Sequence, residues 1–420
     1  MNARETLRSL YRAALRAVEG RGCVARHLSR QRPDGPVHLV AVGKAAASMT
    51  LGAVDILGDD VSSGLVVTRT GYAAAELDAH PRIRQMESAH PVPDQRSLEA
   101  GAALVAFLER APDTARFLFL VSGGASSLVE LLPPGVDVKQ LAAFNRGLLA
   151  GGFDIHAMNR ARKAISRIKG GRLARWLRGR PATVLLISDV EGDAPAVIGS
   201  GPLFADPDRP SGPEDVPEAV RGLCPAAEPA PAADDPVFRS IDATVVATNR
   251  HALNAAAARA KQMGLPVYGD YPFVTEEAAA AGRSIAAELV AAPPGVHLRG
   301  GEPTVTLPDT PGRGGRMQAL ALAAADTLKG QDGVWLLAAG TDGADGPTED
   351  AGALVDGGTA ARGEATGLDL AGCLQRADAG TFLQASGDLI RTGGTGTNVM
   401  DLIIGLRNYP AEIGGHGGAR

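Results

Sequence analysis

The chain has 420 residues, 45% of them apolar, 21% charged and 4% aromatic, with a formal net charge of −5. That length and apolar share suit two or three domains with real cores and exclude a disordered tail or a small disulfide scaffold. A mildly acidic, aromatic-poor chain is also unsuited to nucleic acid, which asks for basic clusters and stacking platforms. Cys23, Cys224 and Cys373 are too few and too scattered for a disulfide framework or a structural zinc site. The best apolar run, residues 38–57, is interrupted by Lys44 and Asp55, and the N-terminus lacks an apolar signal core, so the sequence reads as cytoplasmic with no membrane span.

Taken in order, residues 5–28 read as one or two amphipathic helices, because Leu7, Leu10, Ala14, Leu15 and Val18 recur at helical spacing. Residues 38–42 then form a short apolar run that ends in Gly43-Lys44 and an Ala-rich stretch, the strand, tight turn and helix order of an α/β sheet. The same grammar returns at residues 64–68, 116–122, 182–188, 243–247 and 334–338. Short apolar runs separated by helices predict mostly parallel strands buried on both faces. Residues 204–236 turn Pro- and Ala-rich and are expected to be an exposed linker, with a short helix near residues 218–223 and a functional lid as the alternative. The predicted division is therefore a Rossmann-like domain at 1–203, a linker at 204–236 and a second α/β domain at 237–420, with a frayed tail at 414–420.

Two familiar nucleotide signatures are missing. Gly43-Lys44 is followed by Ala45, with His38 where a P-loop needs its first glycine, and the loose glycine pattern at Gly20 and Gly22 lies in a helical segment instead of following a strand. What the chain offers is a set of glycine and polar clusters, most of them where apolar runs end, the places at which parallel sheets bind ligands. Lys44 is either a phosphate or carboxylate contact or a solvated lysine, and Ser122-Gly123-Gly124 is either an anion cradle or a helix cap. Asp189 and Asp193 could hold a divalent metal, position a hydroxyl or cap a turn, and Asp342 and Asp345 raise the same alternatives. Arg313 and Arg316 flank Gly314-Gly315 as an anion clamp or as solvated side chains. Residues 159–172 are the one basic concentration, and His90 is a minor general-base candidate. Paired aspartates, a strand-end lysine, an arginine clamp and no visible base–nucleophile pair suit phosphoryl transfer, which needs positioning and charge neutralisation more than covalent chemistry.

At these clusters the sequence resembles the glycerate 2-kinase family of the MOFRL type, some of whose members carry the label hydroxypyruvate reductase. The matching motifs run in order over nearly the whole chain. They include VAVGKAAASM around Lys44, FLVSGGASSLVELLP (119–133), MNRARKAISRIKGGRLA (158–174) and LLISDVEGDAPAVIGSGP (185–202). GGEPTVTL (300–307), GRGGRMQALAL (312–322), AAGTDGADGPTEDAGALVD (338–356) and GDLIRTGGTGTNVMDLIIGL (387–406) follow.

The resemblance implies two α/β domains with mostly parallel sheets and an interdomain active-site cleft, unlike a P-loop kinase. It also implies transfer of phosphate from ATP, with Mg²⁺, to the 2-hydroxyl of D-glycerate or a closely related small hydroxy acid. By matching positions it assigns Lys44, Asp189 and Arg316 as catalytic. Ser122, Gly123, Gly124, Lys169, Thr397 and Asn398 are assigned to substrate or nucleotide binding, and Asp342 and Glu302 to the metal. Where the family reads GGRNQE this chain has Met317 and Ala319, and Ala194 and Gly394 are further departures, which together direct the question of acceptor specificity to these positions. The alternatives are an NAD(P)H-dependent hydroxypyruvate reductase and a non-catalytic member of the fold. Small-molecule partners are implied, with homo-oligomerisation left open.

Overall fold

A computed structural model of the protein describes residues 2–408 apart from 152, 154, 210 and 211; the tail expected at 414–420 lies outside the described residues. The chain divides into two units. One comprises Val18–Thr248 with Gly396–Val399; the other comprises the residues up to Ala17, Asn249–Thr395 and the described residues from Met400.

The first unit is built on a six-stranded sheet of β1 (Val37–Val42), β2 (Val61–Arg69), β3 (Ile83–Ser88), β4 (Phe117–Val121), β5 (Ala182–Ile187) and β6 (Ile241–Ala247), in the order β3-β2-β1-β4-β5-β6. Every neighbouring pair is parallel. Val40, Leu65, Phe119 and Leu186 pack in one core with Leu104 and Leu108 from the helix Gln95–Arg110, and each such side chain taken out of water stabilises the fold by about 1.5–3 kcal/mol. The chain runs outward from β1 to β3 and then returns to β4 on the other side of β1, so the strand order reverses between β1 and β4. The crevice outside the carboxyl ends of those two strands is where sheets of this type take ligands, and it is where Lys44 and Ser122-Gly123-Gly124 follow their strands.

The second unit holds β7 (Val267–Tyr268), β8 (Phe273–Val274), β9 (Gly295–Gly301), β10 (Val334–Gly340), β11 (Gly352–Asp356), β12 (Leu389–Ile390) and β13 (Asp401–Arg407). The order is β12-β11-β10-β13-β9-β7, with β8 also on β9. Here the expectation of parallel strands needs correcting: β10 is antiparallel to both neighbours and β13 is antiparallel to β9, leaving parallel pairing only where β7 and β8 meet β9. Because β9 and β10 both run against β13, the residues that end β9 and β10 and begin β13 lie on one edge. The helix Arg316–Thr327 crosses this sheet with residues 317–325 all buried, and it packs on the helix Ala278–Ala291 so closely that a Cβ at Gly282 would overlap the Leu320 carbonyl.

The expected domain limits shift accordingly. Strand β6 completes the first sheet by pairing with β5, so the division falls at Thr248 and not at 204–236. That segment is no exposed linker either: Val216, Val220 and Cys224 are buried against Leu141, Phe144 and Leu148, because a few apolar side chains spaced among the prolines suffice to dock it. The first helix, Ala3–Val18, belongs largely to the second unit, where Arg4 bonds Asp356 at 2.6 Å and Asp388 at 2.7 Å. Among the described residues no helix is long and apolar enough to cross a membrane.

Candidate active site

The predicted residues form two constellations, one in each unit. In the first, the turns after β1 and β4 are laced together: Lys44 N–H donates to the Gly123 carbonyl at 2.9 Å, and Ala45 N–H donates to Ser122 Oγ at 3.0 Å. Ser122 is fully buried in this brace, so its hydroxyl holds the two turns in register. Gly123 lies directly under the Asp189 carboxylate and the Asn398 amide; a Cβ there would overlap both. Asn398 Nδ2 donates to Asp189 Oδ2 at 3.2 Å. The Lys44 side chain and the His90 ring both run beside Gly124, within 3.2 Å and 3.0 Å of where a Cβ would stand. Thr397, next to Asn398, is 2% exposed and its Oγ1 has no hydrogen-bond partner among the described residues, an arrangement that ordinarily costs about 1–3 kcal/mol.

Asp189, Gly124, His90, Ser126 and Lys169 border a cavity of about 520 Å³ within this unit. Lys169 differs from the reading as a ligand-binding cation. Its ammonium is buried against Glu130 Oε2 at 2.5 Å, and Glu130 Oε1 in turn accepts from Ser166 Oγ at 2.6 Å and Leu131 N–H at 2.9 Å. The charge is neutralised inside the protein, and Glu130 carried no sequence signal because it stands 39 residues away. Asp193 is not among the residues that line the cavity.

In the second unit the strand-end edge brings Glu302 and Asp401 onto Arg316, with Asp342 near Asp401. Arg316 opens its helix; its Nε donates to Asp401 Oδ2 at 2.6 Å and its Nη1 to Glu302 Oε1 at 2.9 Å. Burial pushes the Asp401 carboxyl up to about 6 despite the guanidinium, with Glu302 and Asp342 adding to the rise. Asp345 caps the helix from outside, accepting from Met317 N–H at 3.1 Å and Gln318 N–H at 2.8 Å, and burial raises its carboxyl to about 7. Tyr11 donates to the Gly340 carbonyl at 2.5 Å, behind the turn that carries Asp342. Asp342 Oδ1 accepts from Ala344 N–H at 3.1 Å.

Two readings of this region change. Arg313 is no clamp, since it is tied to Asp350 and to Gln384 Oε1 at 2.7 Å. Met317 and Ala319, 0% and 7% exposed, sit in the apolar core with Leu320 and Phe382. As for a metal, no group of three or more His, Cys, Asp or Glu side chains among the described residues is arranged to hold an ion. Mg²⁺ commonly needs only one or two carboxylates when phosphate oxygens complete its shell. Asp342 and Glu302, on one sheet edge, fit that lesser demand.

The chain is similar to known proteins over nearly its whole length. A model described as a domain of unknown function, DUF4147, matches residues 6–223, and one described as the MOFRL family matches residues 295–401. The chain is 36% identical to the D-glycerate 2-kinase of Thermotoga maritima over 88% of its own length and 90% of that protein's. The chain belongs to the glycerate 2-kinase family of the MOFRL type. A solved glycerate kinase structure from Thermotoga maritima superposes with a TM-score of 0.80 at 33% identity, covering 96% of this chain and 99% of the other. A relative from Agrobacterium vitis, 37% identical over 96% of this chain and 94% of its own, is named putative hydroxypyruvate reductase. Both family models fall on segments that carry the constellations, with Lys44 and Asp189 in the first and Glu302, Arg316 and Asp342 in the second.

Proposed function

We propose that this protein is an ATP-dependent kinase that phosphorylates the 2-hydroxyl of D-glycerate. The observation that carries the reading is the Asp189 carboxylate, seated on a glycine turn at the point where the strand order reverses and bonded through one oxygen to Asn398. The amide orients the carboxylate, which accepts the acceptor's hydroxyl. Asp189 takes that proton as the hydroxyl oxygen bonds to the γ-phosphorus of ATP and the bond to the β–γ bridging oxygen breaks, releasing ADP. Lys44, at the carboxyl end of β1, and Arg316, whose Nη2 is left over once Asp401 and Glu302 have taken Nε and Nη1, neutralise the charge that develops on the transferring group. Asp342 and Glu302 would hold Mg²⁺, which supplies charge screening of the phosphates. Thr397 and Asn398 close over the acceptor, and Gly123 and Gly124 let the backbone approach it.

The test is ADP release by the purified protein, with ATP and Mg²⁺, across D-glycerate, L-glycerate, threonate, tartrate and hydroxypyruvate. Turnover with D-glycerate, and 2-phosphoglycerate as the product, is the expected result; release with none of these acids would overturn it. The reductase name carried by the Agrobacterium vitis relative makes a separate demand, nicotinamide-dependent absorbance change with hydroxypyruvate. The turn after β1 disfavours it, since Gly43-Lys44-Ala45 lacks the glycine spacing that lets a pyrophosphate reach the helix.

A further inference from the structure

Arg146 and Arg162 both border the cavity of about 520 Å³ in the first unit without a carboxylate partner among the described residues; Arg146 is exposed to water and Arg162 is not. Lys169 is matched by Glu130 and Lys163 by Asp206, each at 2.5 Å. Arg162 is half-buried on the same stretch, and its Nε donates to Asn145 Oδ1 at 3.1 Å, while no carboxylate among the described residues pairs with it. Burial alone lowers its pKa, with no opposing acidic neighbour. A guanidinium withdrawn from water without a counter-charge is unfavourable unless a ligand supplies one. Asn145 fixes the Nε edge, which leaves the two Nη groups to present a planar fork of the kind that takes two oxygens of one anion. Asp189 borders the same cavity, and a singly charged acid with a neighbouring hydroxyl matches one base and one fork. Val92, Leu149 and Val197 are more than half exposed yet apolar and border the cavity too; an occupant beneath them meets Arg162 in a drier medium, where opposite charges attract more strongly.

We propose that Arg162, oriented by Asn145, receives the carboxylate of the acceptor hydroxy acid and so sets the enzyme's preference for acids over neutral polyols. This rests on the kinase reading, and the experiment separates the two. In the full-length protein, Arg162→Gln is compared with wild type for KM of D-glycerate, KM of ATP, kcat with glycerol as a neutral acceptor, and D-glycerate binding by calorimetry without nucleotide. Loss of a charge-assisted fork is expected to raise KM for D-glycerate about 10- to 100-fold, to leave KM for ATP within about twofold and kcat/KM for glycerol unchanged, and to weaken calorimetric binding in parallel. Arg162→Lys, which keeps the charge and loses the fork, should fall between. An unchanged KM for D-glycerate, or a rise confined to ATP, overturns the assignment while leaving the kinase reading standing. Arg162-dependent binding of D-glycerate without any turnover does the reverse. Should Arg162→Gln fail to fold, Asn145→Ala carries the same test, with a smaller KM rise for D-glycerate expected and no rise overturning the proposal.

Discussion

Gly123→Ala separates the site from the fold more cleanly than removal of any charge. The new methyl would overlap Asp189 Oδ2 and Asn398 Nδ2, both at the far ends of side chains. The backbone of Gly123 is not in the left-handed region, so alanine adds no strain of its own and removes about 0.4–1 kcal/mol of unfolded-state entropy. Against that stand the Asp189–Asn398 hydrogen bond, about 0.5–1.5 kcal/mol, and a displaced rotamer of similar size, for a net loss of at most about 2.6 kcal/mol. The carboxylate must retreat by roughly 1 Å, and a reacting group misplaced by that much loses about a hundredfold in rate. The expected outcome is a kcat/KM for D-glycerate down about 100-fold by ADP release, with a melting temperature lowered by only a few degrees. Gly282→Ala is the control, because its methyl meets the Leu320 backbone carbonyl; parting two packed helices costs about 1–3 kcal/mol and should lower the melting temperature without moving KM. A folded Gly123→Ala protein with kcat/KM within threefold of wild type would refute the placement of Asp189 at the reacting hydroxyl.

Arg316→Ala should lower kcat/KM about a hundredfold or more and, by stranding the buried Asp401 carboxylate, destabilise the second unit by about 2–3 kcal/mol, the low end for a broken pair because the carboxyl can take a proton. Adding Asp401→Asn should recover part of the melting temperature and none of the activity; a double variant no more stable than the single one contradicts the pairing. Glu130→Gln leaves the Lys169 ammonium buried alone and should cost about 3–5 kcal/mol, with Lys169→Met in the same background restoring much of it; an unchanged melting temperature for Glu130→Gln would show that Lys169 finds water or another partner. Asp345 and Asp401 titrate in the folded protein at about 7 and about 6, above the unfolded value of about 3.9. The native state therefore holds protons that the unfolded chain has released, and the stability these two groups supply is full below about pH 4 and lost as pH rises through 6 to 7. Asp345→Asn should accordingly fare worst against wild type at pH 5 and gain on it by pH 8 in paired thermal melts, and an equal difference at both pH values would contradict the raised carboxyl.

The strands of the first unit were legible because each is a short apolar run that stops at a glycine or a polar turn, as Phe117–Val121 stops at Ser122. Strand β3 was not: Ile83-Arg-Gln-Met-Glu-Ser lies at the sheet edge, where half its side chains meet water and the run loses its apolar signature. The second sheet shows the converse. Val334–Gly340 is apolar along its length because both faces are covered, and two-sided burial says nothing of strand direction, so an antiparallel strand looked parallel. In the site, the turns that carry Lys44, Gly123 and Asp189 could be located by sequence, since glycine beside a strand end is a local signal. Their partners could not. Asp401 reaches Arg316 across 85 residues and Asn145 reaches Arg162 across 17, and each pairing is decided by packing that no local pattern encodes.

The departures from the family's GGRNQE motif illustrate the difference between proximity in sequence and presence in a site. Arg316 occupies the first position of a helix whose next nine residues are all buried, so Met317 and Ala319 point into the core while the arginine alone emerges at the sheet edge. An amide or a carboxylate at those two positions would need partners inside that core; here methionine and alanine fill it with apolar contact, and Asp345 meets the helix's first free N–H groups from a separate loop. The substitutions therefore act on how firmly the helix is seated, and through it on where Arg316 is held. Discrimination among acceptors has to be sought instead among side chains that border a cavity, and of the cations there Arg146 is exposed, Lys169 is already neutralised by Glu130, and Arg162 is half-buried without a carboxylate partner among the described residues.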